Sequence, residues 1–347
     1  MSTFLPALTA LLALGLSVSL FDQWRRRRGA FQLAWAIGML TFGIGSACEA
    51  IAASAGWSDL VYRAWYLSGA VLTPAWLGLG TAFLLAKTRF GYAYAVCFFL
   101  AGLFTILTQA KYDYPETGPG AFFYLLAGIG LAAAIFAATY FGEQRWPRIA
   151  AFGVVVGTVV GIVFVATATL LPGSFVDPTT NQPTAALFPG YLRLLTPFMN
   201  VTGAFSLLFG AIFSAYVFMP KRRVLDYSLD TGQPFDHFLF NLAIGVVAIT
   251  VNLIASVPAA VAAWRAGRLH SRVPATLLIA VAAFVATAGD TLNRYGLTSP
   301  FELAKLVSVL LLVWGFAVSV DAFSDIRIPF TSIRLTHERQ EHGSASS

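Results

Sequence analysis

Apolar residues run along this chain in long blocks rather than at regular intervals. Ten blocks, at 4–21, 31–54, 60–86, 92–110, 121–141, 149–171, 197–219, 240–264, 274–290 and 301–323, are separated by short polar stretches. Each block is 17 to 27 residues long, and a helix needs about 20 apolar residues to cross a bilayer. Strands of a membrane barrel would instead show alternating segments of about 10 residues, and the chain has none. The pattern predicts an all-α, polytopic transmembrane helical bundle of nine or ten apolar segments.

Composition agrees. Of 347 residues, 58% are hydrophobic and 11% are charged, whereas soluble domains carry roughly 25% charged residues. The net charge of +6 would suggest nucleic acid in a soluble protein. Here the basic residues sit in short loops between apolar blocks, so the expected partner is the lipid bilayer and not nucleic acid.

Their placement predicts an orientation. No Lys or Arg precedes the first block and Arg25–Arg28 follow it, the reverse of a cleavable signal. An uncleaved first span with its N-terminus outside is expected, in the inner (cytoplasmic) membrane of a bacterial cell. Alternate loops over the first seven spans then carry eleven basic residues on the inner side, including Lys87, Arg89, Arg145, Arg148 and Lys221–Arg223, against Arg63, Lys111 and Arg193 outside. The reading is a seven-helix module at 1–219, N-out and C-in, a cytoplasmic loop at 220–238, C-terminal apolar segments at 239–323 and a cytoplasmic tail at 324–347. If block 240–264 crosses, Arg265, Arg268, Arg272, Arg327, Arg334 and Arg339 fall outside; if it dips and returns, they fall inside. Its length suits a crossing. Charge balance, Pro258 and the polar Asn241, Asn252 and Ser256 suit a broken, re-entrant dip.

Chemistry-bearing motifs are scarce. The chain has no Walker A loop, no GxGxxG after a strand, no HExxH and no GxSxG. The four histidines lack metal-ligand spacing, and Cys48 and Cys97 lie in apolar blocks as packed thiols. No enzyme activity, cofactor or metal is expected. The stretch "PKRRVLDYSLDTGQPFDHF" (220–238) holds three aspartates and His237, which in such a loop read as solvated. "GVVVGTVVG" puts Gly153, Gly157 and Gly161 on one helix face for packing within the bundle or between copies. The loop at 172–195 reads as a cover or a lid over the outer mouth.

Charges close to lipid are the candidate site. Glu49, late in the second block, and Arg63, early in the third, lie about a turn below the outer surface on two arms of one hairpin. A Glu49–Arg63 ion pair is expected, with Tyr62, Trp65 and Tyr66 around it. Asp290 and Lys305 repeat the arrangement, spaced 15 residues apart where Glu49 and Arg63 are 14 apart, with Arg294 competing for Asp290. Each pair is read as register control of its hairpin or as one wall of a small-ligand site.

The stretch from Arg25 to Phe90, with Arg25–Arg28, Glu49, Trp57, Arg63, Trp65, Tyr66 and Pro74, resembles the seven-helix sensory region found N-terminal to some bacterial histidine kinases and cyclic-dinucleotide enzymes. The resemblance implies a receptor-like bundle that senses something outside or within the membrane. More apolar blocks stand where that family carries its output domain, so a signal would pass to a protein partner in the membrane or cytoplasm. Three functions are therefore carried forward. One is a sensor-like or regulatory protein binding a small molecule of unknown identity. Another is a transporter or channel with helix breaks at Pro74, Pro197 or Pro258. The third is an assembly subunit of a larger membrane complex.

Overall fold

The computed structural model describes residues 3–142, 144–178, 182–294 and 299–318, without the side chains of 291–300. The tail at 324–347, with Arg327, Arg334 and Arg339, lies outside the described residues. Ten long helices form: α1 (Phe4–Arg27), α2 (Ala30–Ala55), α3 (Asp59–Leu84), α4 (Gly91–Tyr112), α5 (Gly120–Tyr140), α6 (Trp146–Thr167), α7 (Gly190–Phe218), α8 (Phe235–Arg265), α9 (Arg272–Arg294) and α10 (Ser299–Val318). All ten are long and apolar enough to cross a membrane. Among the described residues the one β feature is an isolated bridge between Val176 and Pro183. The all-α polytopic bundle expected from the apolar blocks is what forms.

Turn chemistry sets the helix ends. Gly56, at φ 87°, takes the left-handed turn that closes α2. Ser58 then caps α3 by accepting from the Val61 amide, with Asp59 in the first turn. α3 is α-helical at both ends and π-helical from Tyr66 to Leu72. Thr73 donates to the Ser68 carbonyl across this wide turn at 2.8 Å.

α7 is the centre of the bundle and packs against α3, α4 and α9. Without a hydrophobic drive between helices in lipid, close approach depends on small residues. A Cβ on Gly203 would lie 2.1 Å from the backbone of Pro74, and one on Gly78 would lie 2.6 Å from the Gly203 carbonyl oxygen. The stripe of Gly153, Gly157 and Gly161 on α6 serves contacts inside the molecule. It receives Leu131 and Phe98, then Met199, then Val71 and Leu195.

The helices define two ends. Arg25–Arg28, Lys87, Arg89, Arg145, Arg148 and Lys221–Arg223 gather at one, here the basic end. The loop at 113–119 and the described parts of the loop at 168–189 close the other, here the far end. Both ends of α8 meet the basic end. Phe238 packs on Tyr92 at the start of α4 and on Phe136 and Tyr140 near the end of α5. Ala260 joins Ala215, Tyr216 and Met219 near the end of α7 and Val273 at the start of α9. Of the two readings of this segment, the broken dip would need an interruption that is absent: α8 is continuous through Pro258. Its two ends thus contact the same end of the bundle. α9 and α10 then run the length of the bundle as an antiparallel pair against α7, α1 and α2.

The α3–α7 contact gives a direct stability test. Gly203→Ala should lower the thermal midpoint in detergent, by about 1–3 kcal/mol of overpacking. Gly130→Ala, where nothing lies within 4 Å of the added methyl, should stay within about 0.5 kcal/mol of the parent.

Candidate functional site

The site is built where the α2–α3 hairpin meets the start of α10. Glu49 stands six residues before the end of α2, which places it about 9 Å below the far end. Lys305 stands six residues into α10. The Lys305 ammonium donates to Glu49 Oε2 and, at 2.9 Å, to Glu302 Oε1. Trp65 Nε1 donates to the other Glu49 oxygen at 3.0 Å. The Phe301 ring lies under the ammonium, 4.5 Å from it. Glu49 is 5% exposed and Lys305 is 9% exposed. Two carboxylates and one ammonium thus share a shielded site, and the second oxygen of Glu302 is buried without a hydrogen-bond partner.

This arrangement corrects both expected pairs. Glu49 pairs with Lys305, from the other hairpin, and not with Arg63. The reason is helix periodicity. Residues two apart on a helix point about 200° apart, so when Trp65 faces Glu49, Arg63 must face elsewhere. Arg63 bonds Asp59 at 2.9 Å, one turn back, and donates to the Val165 carbonyl in the last turn of α6. There it neutralises a helix C-terminus, where a cation is favoured. The expected Asp290–Lys305 pair is likewise replaced, since the ion pairs of Lys305 are with Glu49 and Glu302. Asp290 lies on α9, and the Arg294 side chain lies outside the described residues. Glu302 was not singled out in the sequence. Its position three residues before Lys305 on one helix was the available signal.

The expected aromatic residues divide between two clusters. Only Trp65 joins the ionic site. Tyr62 and Tyr66, four residues apart and so on one face, turn toward the loop at 168–189. Phe188 from that loop stacks on both, with centroids at 4.9 and 4.2 Å. Phe175 adds a third contact to Tyr62, and Trp57 meets Tyr62 and Trp65 edge-on. The Tyr62 hydroxyl donates to the Thr184 carbonyl, and the Tyr66 hydroxyl shares a hydrogen bond with Thr196 at 2.6 Å. The loop is folded back on itself, with Leu171 donating to Leu187 at 2.8 Å and Thr184 to Phe175 at 3.0 Å. It covers the aromatic cluster.

A second loop contact went unread in the sequence. Arg193 lies over the rings of Tyr112 and Tyr114, 5.0 Å from each. Burial pushes the Tyr114 phenol above its ordinary range, while Arg193 pulls it back. Glu116 accepts from the Gly190 amide at 2.8 Å, placing a carboxylate at the N-terminus of α7.

Among the described residues no three His, Cys, Asp or Glu side chains are grouped to hold a metal ion. Cys48 and Cys97 are buried free thiols. His237 and Asp236 are exposed, 4.0 Å apart.

Fold and site define the class: a multi-pass helical membrane protein with an ionic clasp between α2 and α10. Comparison with protein-family models, with curated proteins and with solved structures gives no match to this chain.

The clasp predicts a pattern of coupling. Removing one partner of a buried ion pair costs about 3–5 kcal/mol, so Lys305→Met should destabilise the protein strongly, and more than Glu302→Gln, because it leaves two buried carboxylates facing each other. A double-mutant cycle on thermal unfolding should give coupling of about 1 kcal/mol or more for Glu49 with Lys305 and close to zero for Glu49 with Arg63.

Proposed function

We propose that the protein is a non-enzymatic, sensor-like membrane protein in which the Glu49–Lys305–Glu302 cluster is the responsive element. The single observation that carries this reading is the clasp itself. It joins residues 256 positions apart in the chain and is the polar link between the α2–α3 hairpin and α10. A proton, a cation or a small polar ligand that changes the charge on either carboxylate weakens the hold on Lys305. α10 reaches the opposite end of the bundle, where Phe316 packs edge-on against Trp35 at the start of α2, centroids 5.2 Å apart. Loss of charge balance at the far end thereby alters a contact at the basic end, through one rigid helix with two possible packings. In this reading the N-terminus and far end face outward, the basic end faces the cytoplasm of a bacterial cell, and a partner protein receives the signal. The resemblance of residues 25–90 to seven-helix sensory regions supports the same reading.

A second reading, transport of a small solute or ion, is favoured by the π-helical stretch of α3. Wide turns of this kind recur at functional sites. This one lies where α2 and α3 touch, with a Cβ on Gly45 only 3.2 Å from Gly69.

One experiment separates the readings. The Trp65 indole donates to Glu49, so its fluorescence reports the charge state of the clasp. The protein in liposomes is titrated with protons, monovalent cations and small amines, with Trp65→Phe identifying the signal and flux followed in parallel. A saturable change that is lost in Glu49→Gln, without flux, supports the sensor. Flux above empty liposomes that is lost in folded Glu49→Gln supports the transporter. No change at Trp65 and no flux overturns both and leaves an assembly role.

A further inference from the structure

We propose that α8 is an in-plane membrane helix, embedded along its length in the leaflet at the basic end and held at its C-terminal half by anionic lipid headgroups. This inference is independent of the functional reading above and rests on four observations.

The first is where the helix touches the bundle. Phe238 and Ala260 are 22 residues apart, about 33 Å along a helix axis. A spanning helix of that length would carry them to opposite ends, since the hydrocarbon core is about 30 Å thick. Both instead meet the basic end.

The second is what covers its buried stripe. Asn252 accepts from the amides of Val224 and Leu225 and donates to the Leu225 carbonyl. The Ser256 hydroxyl accepts from the Arg222 amide at 2.9 Å. Tyr227 lies against Gly245. The connecting segment from α7 thus runs antiparallel along α8 and uses its polar side chains to satisfy extended backbone. The asparagine and serine that suggested a broken helix are accounted for here.

The third is the opposite face. Phe240, Val247, Ile254 and Val261 recur every seven residues along it and are exposed, Phe240 and Ile254 to 69% and 66%. The strip is apolar for most of its length. It continues the lipid-facing surface of α5, because Tyr140 packs on Phe235 and the adjacent Phe141 is exposed. A strip of this size does not stay in water.

The fourth is charge. Arg222, Arg223, Arg265 and Arg268 are exposed around the C-terminal half of α8. Basic residues beside an apolar helix face are the pattern of interfacial binding to anionic lipid. The aspartates at 226, 230 and 236 lie toward the other half, which confines the headgroup contact to the C-terminal part.

The test uses nitroxide labels at single cysteines replacing Phe240, Val247, Ile254 and Val261, in a Cys48→Ala/Cys97→Ala background. The full protein is reconstituted in vesicles of equimolar phosphatidylcholine and phosphatidylglycerol, and oxygen and nickel-chelate accessibility give the depth of each label. The expected result is one common depth, about 5–10 Å below the headgroup boundary. A profile that goes deep at 247 and 254 and shallow at 240 and 261 would show a spanning helix and overturn the proposal. Labels more accessible to nickel chelate than to oxygen at all four positions would place the face in water, and labels closed to both would place it against a second copy or another protein; either overturns it. Moving to pure phosphatidylcholine, or replacing the four arginines with glutamine, should make labels 254 and 261 shallower and leave 240 unchanged. No shift in either arm would overturn the anionic-headgroup part.

Discussion

Lys305 enters an apolar helix carrying an ammonium group that lipid cannot solvate. A charge at the bilayer centre costs on the order of 2.5–3.5 kcal/mol on insertion scales, and a depth of six residues does not let the side chain escape fully to water. The charge therefore needs a partner at its own depth, and Glu49 supplies it from the other extreme of the chain. That requirement places the start of α10 against the end of α2. α9, joined to α10 as an antiparallel pair, is then carried against α7, and α1 closes on α10. One ionic contact joins the C-terminal pair to the first hairpin near the far end, and apolar packing of Leu16, Trp35 and Met39 with Ile279, Val309 and Phe316 joins them elsewhere; the middle of the bundle is set by shape, through Gly78 and Gly203 between α3 and α7.

The spans were legible in the sequence because length and apolarity are local properties. Each helix falls on a predicted block, and the bends at Gly29, Gly56 and Gly118 fall between blocks. α8 shows where such reading stops. Hydropathy says that a segment avoids water but not the direction in which it lies. What distinguishes α8 is a pairing of Asn252 and Ser256 with the backbone of the segment at 222–225. That pairing is a tertiary fact with no periodic signature. The same polar residues were visible in the sequence and fitted a broken helix equally well.

The site was half legible for a related reason. Depth can be counted from the ends of a span, and Glu49 and Arg63 do lie at similar depth. Which way each points around its helix depends on neighbours that the sequence does not identify. Once α2 sits against the Trp65 side of α3, Arg63 faces α6 and finds the Val165 carbonyl. The pairing of Glu49 with a residue of α10 required knowing that the two hairpins touch. Glu302, by contrast, was readable from its spacing to Lys305 alone.

The two sets of interactions at the far end differ in what can disturb them. The aromatic cluster of Tyr62, Tyr66 and Phe188 is held by stacking and by neutral hydrogen bonds to the loop. It responds to changes of shape. The ionic cluster has one ammonium for two carboxylates and a carboxylate oxygen without a hydrogen-bond partner, so a change of charge is what would disturb it. Trp65 is the side chain that belongs to both, bonded to Glu49 and packed against Tyr62 and Tyr66. Immediately after it the helix widens into its π-helical turn. Glu49 is thus bonded to the side chain that adjoins the π-helical stretch of α3, while the glycine contacts beyond that stretch hold the remainder of the helix against α7. α10 is tied both to the clasp and, through Phe316 and Trp35, to the opposite end of the bundle.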